Sequence, residues 1–410
     1  MSAPAGPTER STTFAERLDD VPDRVALTEI TGSRDPEAVY AQLRARWGQV
    51  APVDIEPGVP AWLALGYTEV TSVLRNQAQF SREAARWRHA AGGTHLQGHR
   101  GAAGADGARQ RHLRAALDDA FDGLDDERVA RATSIASMTA LAPVLARGEA
   151  DMVREYAAAV SLLTLADLVG LGAADATRLV ELDGILRSGS PEAASAAAER
   201  EALLGAVVAA RRSDPRDDLA TVLATHPNHA SAAEAAESIG VAFGMGYDAQ
   251  TALIATTLHQ MATDRPFHER IRSGRLEIDE AIEEVARFRP PVAHLAPRYA
   301  LADCELGGRR IAAGDAVVPG VAAANTDPAL RSDDPWEDLG ARFHLSWGVG
   351  VHASPGRRMG AVVSRYAVGI ILVRIDRLLL TVAPDAVEMV ATPWQRYPRS
   401  LPVRFAVRPA

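Results

Sequence analysis

Lysine is absent from the chain, and all 44 permanently cationic side chains are arginine. Without a lysine there is no Schiff-base or pyridoxal-phosphate attachment and no Walker-type phosphate lysine. Cysteine occurs once, as Cys304, so neither an internal disulfide nor a cysteine-based metal cluster can form. A lone cysteine in a sequence that reads as strand running into turn is expected to pack as a small hydrophobe, in a reducing cytoplasmic setting. Excess positive charge is lacking too: net charge is -9 and the isoelectric point about 5.7, which speaks against a nucleic-acid or anionic-membrane partner.

Uninterrupted hydrophobic runs are also missing. The best, Ala361 to Leu380, is broken by Arg365, Arg374, Asp376 and Arg377, which predicts a buried amphipathic helix and no membrane span. Residues 1–20 are polar and rich in Pro, Ser and Thr, so a disordered tail is expected there, followed by one domain over 21–410.

Helical periodicity fills 111–210 and Ala232 to Thr263, whereas strand signals cluster near the start and in the last third. Residues 50–65 read as a hairpin turning at Pro57-Gly58, and 297–319 as short strands with turns. The glycine-rich stretch 90–110 predicts a long loop, and Ser188-Gly-Ser-Pro191 a second break, both suited to covering a pocket. Gly244 and Gly246 lie inside a helical pattern, where each costs about 1 kcal/mol against alanine and so marks a close approach or a kink. The fold class is mainly α with small β-sheets, in a single domain.

Eleven histidines invite a metal reading, yet His95/His99 and His226/His229 have no cysteine or H-E-x-x-H frame nearby, and no metal site is assigned. Ser354 has His352 close by in sequence, but no G-x-S-x-G elbow surrounds it and no third group is evident.

Three motifs in order, Glu284-Val-Ala-Arg287, Ala324-Asn-Thr-Asp-Pro328 and Phe343-His-Leu-Ser-Trp-Gly-Val-Gly-Val-His352, resemble signatures of the cytochrome P450 superfamily of the soluble actinobacterial type. The resemblance runs over nearly the whole chain and implies the cytochrome P450 fold. It further implies that Glu284, Arg287 and Arg342 form a structural ion network, and that Arg114, Arg298 and His352 face haem propionates, for which charge-assisted bonds are needed. Gln110 departs, standing where the family has histidine.

The larger departures concern chemistry. Ser354 stands at the family's haem-ligand cysteine, and a hydroxyl lacks the electron push that a thiolate gives to iron. The family's A-G-x-(D/E)-T-T becomes Met245-Gly-Tyr-Asp-Ala-Gln250, with Thr251 one place late, roughly 100° further round a helix. The segment expected as L-A-R-x-E reads Met359-Gly-Ala-Val-Val363. Haem binding is therefore left open: none, or haem without thiolate ligation. Asp248 and Tyr247 are the candidate catalytic groups, the acid having a carboxyl whose pKa burial would raise.

The resemblance then implies a P450-like protein of secondary metabolism that does not monooxygenate. One form is a non-redox enzyme for a small hydrophobic natural product. Another is an accessory partner of a biosynthetic enzyme such as a glycosyltransferase, and the alternative is a haem oxidoreductase with a non-cysteine axial ligand.

Overall fold

A computed structural model describes residues 17–89, 101–188, 190–330 and 343–408. The first third holds α1 (Leu27–Gly32), α2 (Pro36–Trp47), α3 (Tyr67–Arg75), α4 (Gly107–Asp122) and α5 (Asp126–Arg147). A helical middle follows, with α6 (Ala158–Val169), α7 (Ala173–Ser188), α8 (Ala193–Ser213), α9 (Leu219–Thr225) and α10 (Ala232–Thr263). Next come α11 (Arg265–Arg272), α12 (Ile278–Phe288), α13 (Val321–Asn325) and, near the end, α14 (Arg357–Arg374).

Local chemistry sets these boundaries. Asp35, Ser231 and Asp264 accept from the backbone N–H of Ala38, Glu234 and Phe267, capping α2, α10 and α11. The 32 residues of α10 form the spine, packed against α6, α8, α12 and α14. Its two ends are apolar and buried, from Ala235 to Phe243 and from Ala252 to Leu258.

Beside this bundle lies a six-stranded sheet built from β1 (Val25–Ala26), β2 (Val50–Asp54), β3 (Pro60–Ala64), β4 (Phe80–Ser81), β6 (Arg298–Ala300) and β9 (Ala316–Pro319). The strand order is β1-β2-β3-β9-β6-β4. The expected hairpin is β2–β3, and Gly58 at its turn has φ 81°, a left-handed conformation that favours glycine. Smaller pairs are β7 (Cys304–Leu306) with β8 (Arg309–Ile311), and β11 (Met389–Ala391) with β12 (Arg396–Pro398). β5 (Glu149–Asp151) joins β10 (Leu379–Leu380) through β13 (Pro402–Arg404).

Several expectations change. The expected tail lies outside the described residues except at its end, where Leu18–Asp20 forms a 3-10 turn with Leu18 buried. Residues 90–100 of the expected loop are also outside them, but 101–104 is a 3-10 turn and α4 already begins at Gly107. The apolar run from Ala361 ends as helix at Arg374. The helix that is long and apolar enough to cross a membrane is instead α5, half of whose apolar window is buried within the fold against α6 and α14.

The segment 343–346 is fastened to the bundle by buried hydrogen bonds. Asn325 Oδ1 accepts from Leu345 N at 2.8 Å, while its amide donates to Arg287 O at 3.1 Å and to Ser346 Oγ at 3.0 Å. His344 Nε2 lies 2.7 Å from Glu283 Oε2. The expected Glu284–Arg287 pair is not formed: Glu284 is held by Arg270 of α11 at 2.9 Å, and the Arg287 guanidinium lies 4.7 Å and 4.6 Å from the ring centroids of Phe288 and Phe343. The buried Arg287 guanidinium lies over these rings, while Glu284 faces the neighbouring helix. Arg342 lies outside the described residues.

Replacing Asn325 with Ala strips partners from three buried groups at once and should cost about 2–3 kcal/mol, read as a lower urea midpoint at unchanged slope. A second expectation concerns His294, fully buried between Tyr40 Oη at 2.9 Å and Pro393 O at 2.7 Å, whose pKa burial lowers to about 4. Between its ordinary value of 6.5 and about 4 the unfolded chain binds the extra proton, so stability is complete above about 6.5 and declines as pH falls towards about 4. His294→Gln should be less stable at neutral pH but lose less on acidification over that window; an unchanged pH slope would refute the assignment.

Candidate functional site

The loop 347–356 runs into the N-terminus of α14 and is shaped by two glycines in left-handed conformation, Gly348 at φ 70° and Gly350 at φ 77°. At Gly350 a side chain would also collide with Leu74 O, 2.8 Å from where its Cβ would stand. Ser354 N donates to Trp347 O at 2.8 Å, closing the loop, and the Ser354 side chain is exposed. The sole thiol, Cys304, lies on β7, half-buried and raised in pKa first by that burial.

Helix α4 clamps the same loop. Gln110 Nε2 and Arg114 Nη1 both donate to Val351 O, at 2.8 and 3.0 Å, and Arg114 Nε pairs with Asp118 at 2.7 Å. The departure at Gln110 is thus a scaffold bond, and Arg114 is committed to protein groups.

Around His352 and Arg298 the chain buries a cluster of charges. His352 Nε2 is buried, lies 3.6 Å from Asp106 Oδ1 and makes no hydrogen bond. Its pKa falls to about 3, through burial first and then the positive charges of Arg298 and Arg82. Arg298 is 5% exposed and forms no hydrogen bond or ion pair with the described residues, and burial lowers its pKa well below the ordinary arginine value. A buried guanidinium without a partner carries an unoffset desolvation cost, so this corner favours an anion.

The remaining candidates lie in the middle of α10. Flanked by buried turns, Met245 is 55% exposed, and Gly244, Gly246, Tyr247, Asp248 and Ala249 are half-buried. The two glycines do mark close approaches: a Cβ at Gly244 would stand 2.6 Å from Asp183 Oδ2, and one at Gly246 3.3 Å from Leu165. Asp248 Oδ2 accepts from Arg187 of α7 at 2.6 Å. Burial raises the Asp248 pKa, Arg187 opposes the rise and Asp183 adds to it. Tyr247 stacks on Phe243 at 6.5 Å between centroids, and its phenol pKa is raised by burial and by Asp248. Tyr397, from β12 packed on α10, joins this group, its phenol also raised by burial and then by Asp248.

The two sequence departures beyond Ser354 meet in space. Gln250 Nε2 donates to Ser364 Oγ of α14 at 2.6 Å, and a methyl group at Gly360 would stand 2.9 Å from Trp347 Cη2 and 3.2 Å from Gln250 Oε1. Glycine at 360 therefore makes room for the Trp347 ring and the Gln250 amide. Thr251 Oγ1 is buried without a partner, while Ala249 occupies the accessible face.

Of the sequence-derived candidates, the fold brings His352 and Arg298 together, places Asp248 with Tyr247, and sets Arg114 apart in the α4 clamp. Sequence reasoning missed Arg82, Asp106, Arg187 and Tyr397. Only the strand-rich reading of 297–301 offered a signal, since the partner strand that carries Arg82 into the cluster is two residues long. Among the described residues no group of three or more His, Cys, Asp or Glu could hold a metal ion.

Haem, which the motif resemblance implies, fits part of this site. Arg298 and the unpartnered His352 Nε2 suit its carboxylates, whereas the residue offered to the iron from the loop is a hydroxyl.

Comparison with known proteins accords with the geometry. The cytochrome P450 family profile matches residues 258–335. The mycinamicin IV hydroxylase/epoxidase of Micromonospora griseorubida is 30% identical over 62% of this chain and 66% of its own length. The cytochrome P450 monooxygenase PikC of Streptomyces venezuelae is 27% identical over 90% of this chain and 91% of its own. Among solved structures, CYP154C4 from Streptomyces sp. W2061 superposes with a TM-score of 0.85 at 23% identity, covering 95% of this chain and 99% of that one. The myxobacterial cytochrome P450 CYP267B1 gives 0.83 at 25% identity, covering 92% and 98%. With the motifs in order, the bundle and sheets in place and relatives matching along the chain, the protein belongs to the cytochrome P450 superfamily.

Proposed function

We propose that this chain is a P450-like protein of bacterial secondary metabolism that does not activate oxygen through a thiolate, and that it acts on a small hydrophobic natural product by non-redox chemistry. The observation that carries this reading is Ser354, set in a well-formed ligand loop with the sole cysteine on another element. The setting in secondary metabolism draws on a relative named mycinamicin IV hydroxylase/epoxidase; the non-redox part of the reading rests on this chain's own residues. Ala249 at the accessible face of α10 adds to it, because no hydroxyl stands there to relay a proton.

In this reading the working groups are Asp248 and Tyr247. Asp248 pairs with Arg187, and burial with Asp183 raises its pKa while Arg187 lowers it, so turning the guanidinium away would strengthen the acid's hold on a proton. The Tyr247 phenol orients the substrate's polar group beside it. When haem is bound it supplies a redox-active iron, and a hydroxyl gives that iron none of the electron donation that favours O–O cleavage.

A second reading, a haem-binding oxidoreductase with a non-cysteine axial ligand, is favoured by Arg298, which is buried with no hydrogen bond or ion pair among the described residues, and by the unbonded Nε2 of His352. The accessory role, beside a partner such as a glycosyltransferase, draws on a cleft of about 500 Å³ between α12 and α14, whose rim carries Arg357, Arg365, Asp279 and Glu283.

Absorbance spectra of the purified protein separate these readings. A colourless protein, or a Soret band lacking the thiolate-type maximum in the reduced CO complex, is expected, and Ser354→Cys should introduce that maximum if haem is bound. A thiolate-type spectrum from the unaltered chain would overturn the proposal. The acid assignment is checked by carboxyl-selective NMR: Arg187→Met should raise the Asp248 pKa further and Asp183→Asn should lower it.

A further inference from the structure

We propose that His259, Arg289 and Arg396 form an oxyanion site that takes a phosphate group, either free or carried by a monoester. The site stands about 16 Å along α10 from Asp248, and it involves neither the loop at Ser354 nor the groups of the proposed function.

Three elements bring these side chains together. His259 lies near the C-terminal end of α10, which packs on both α12 and β12. Arg289 is the C-cap of α12, its backbone N–H donating to Val285 O at 2.8 Å. Arg396 opens β12, and its backbone N–H donates to Pro291 O at 2.9 Å, so the strand is tied to the chain just beyond Arg289. The Arg396 side chain is aimed by a bond from Nη1 to Thr31 O of α1.

Mutual repulsion follows from this assembly. The His259 pKa falls to about 4, through burial first and then the positive charges of Arg289 and Arg396. Burial, and then Arg289, also lowers the Arg396 pKa, against an opposing effect of Tyr40. Tyr40 itself stays protonated, its phenol pKa raised by burial, and no carboxylate acts on His259 or on Arg396 among the described residues. The His259 ring nitrogens and the exposed Arg289 guanidinium form no hydrogen bond or ion pair with the described residues. Cationic groups gathered without a counter-charge favour an anion between them.

The count of charges and donors selects the class of anion. Two guanidiniums supply two positive charges, and the neutral imidazole adds an N–H donor. Phosphate is close to a dianion near neutral pH and has enough oxygens to accept from all three groups, whereas a carboxylate brings one charge and two oxygens.

The test uses the full chain in phosphate-free buffer at constant ionic strength, with inorganic phosphate and phenyl phosphate as probes. Binding is read by calorimetry and by NMR of the His259 imidazole, assigned from its absence in His259→Phe. Phosphate should bind saturably, Arg289→Gln should weaken it about tenfold, and Arg289→Lys should recover part of the loss. Arg399→Gln, which removes the nearby arginine paired with Glu388, should change binding by less than about twofold. A bound anion favours the protonated ring, so the His259 pKa should climb well above about 4 as phosphate saturates the site. Arg289 is exposed and bonds no described side chain, and melting curves check that its variants are folded. Phenyl phosphate binding at least as tightly as inorganic phosphate supports an ester as the ligand, and weaker binding supports the free ion. Absence of saturable phosphate binding below about 10 mM would overturn the site, as would equal weakening by Arg399→Gln or a His259 titration that ignores phosphate. None of these outcomes depends on Ser354 or Asp248, so the tests of the proposed function stand or fall separately.

Discussion

An irregular loop carries the most distinctive residue of this chain, and its shape depends on hydrogen bonds supplied by its neighbours. A segment without a strand ladder or helix of its own must satisfy its backbone polar groups elsewhere. Asn325 supplies that support on one side by bonding Leu345 N, Ser346 Oγ and the end of α12. Gln110 and Arg114 supply it on the other by converging on Val351 O. The loop is thereby held between α12 and α4 with Ser354 facing open space, whatever ligand that serine meets.

The two groups of candidate residues differ in electrostatic character. On the β-sheet side, positive charge is buried in excess, with Arg82 and Arg298 side by side and His352 kept neutral by burial and by them. On the α10 side, Asp248 and Asp183 face Arg187 and Arg200, so the carboxylates there are largely compensated within the fold. The interlock of Gln250, Ser364, Gly360 and Trp347 joins the central helix to the helix after the loop, so two sequence departures that look independent along the chain share one packing environment.

Much of the scaffold was legible in advance because its signals are local. The bounds of α10 follow from a serine cap and a continuous apolar pattern, and the β2–β3 hairpin from Pro57-Gly58, where glycine meets a positive φ. Gly244 and Gly246 were readable as close approaches for the same reason, the absence of a side chain. The Glu284–Arg287 pair misled because helical spacing places the two residues on neighbouring faces without fixing their rotamers. Arg270, on a different helix, competes better for Glu284, and the aromatic rings of Phe288 and Phe343 take the Arg287 guanidinium. Arg114 was named for its place along the chain, and what the fold adds is its bonds to Asp118 and to the carbonyl of Val351, next to His352.

The sequence by itself determined which atoms are available: a hydroxyl at Ser354, a methyl at Ala249, a single thiol on another element and no lysine. Atom identity is a property of the chain and no folding changes it, so the departures at these positions could be read directly. Which charges meet was decided only by the tertiary structure. Arg82 follows the two-residue β4 and Arg298 opens β6, its antiparallel partner, and nothing along the chain between them records that this pairing brings the two positive charges near each other. Long-range pairing follows from the packing of the whole sheet against the bundle, and so this corner of the protein exists only in three dimensions.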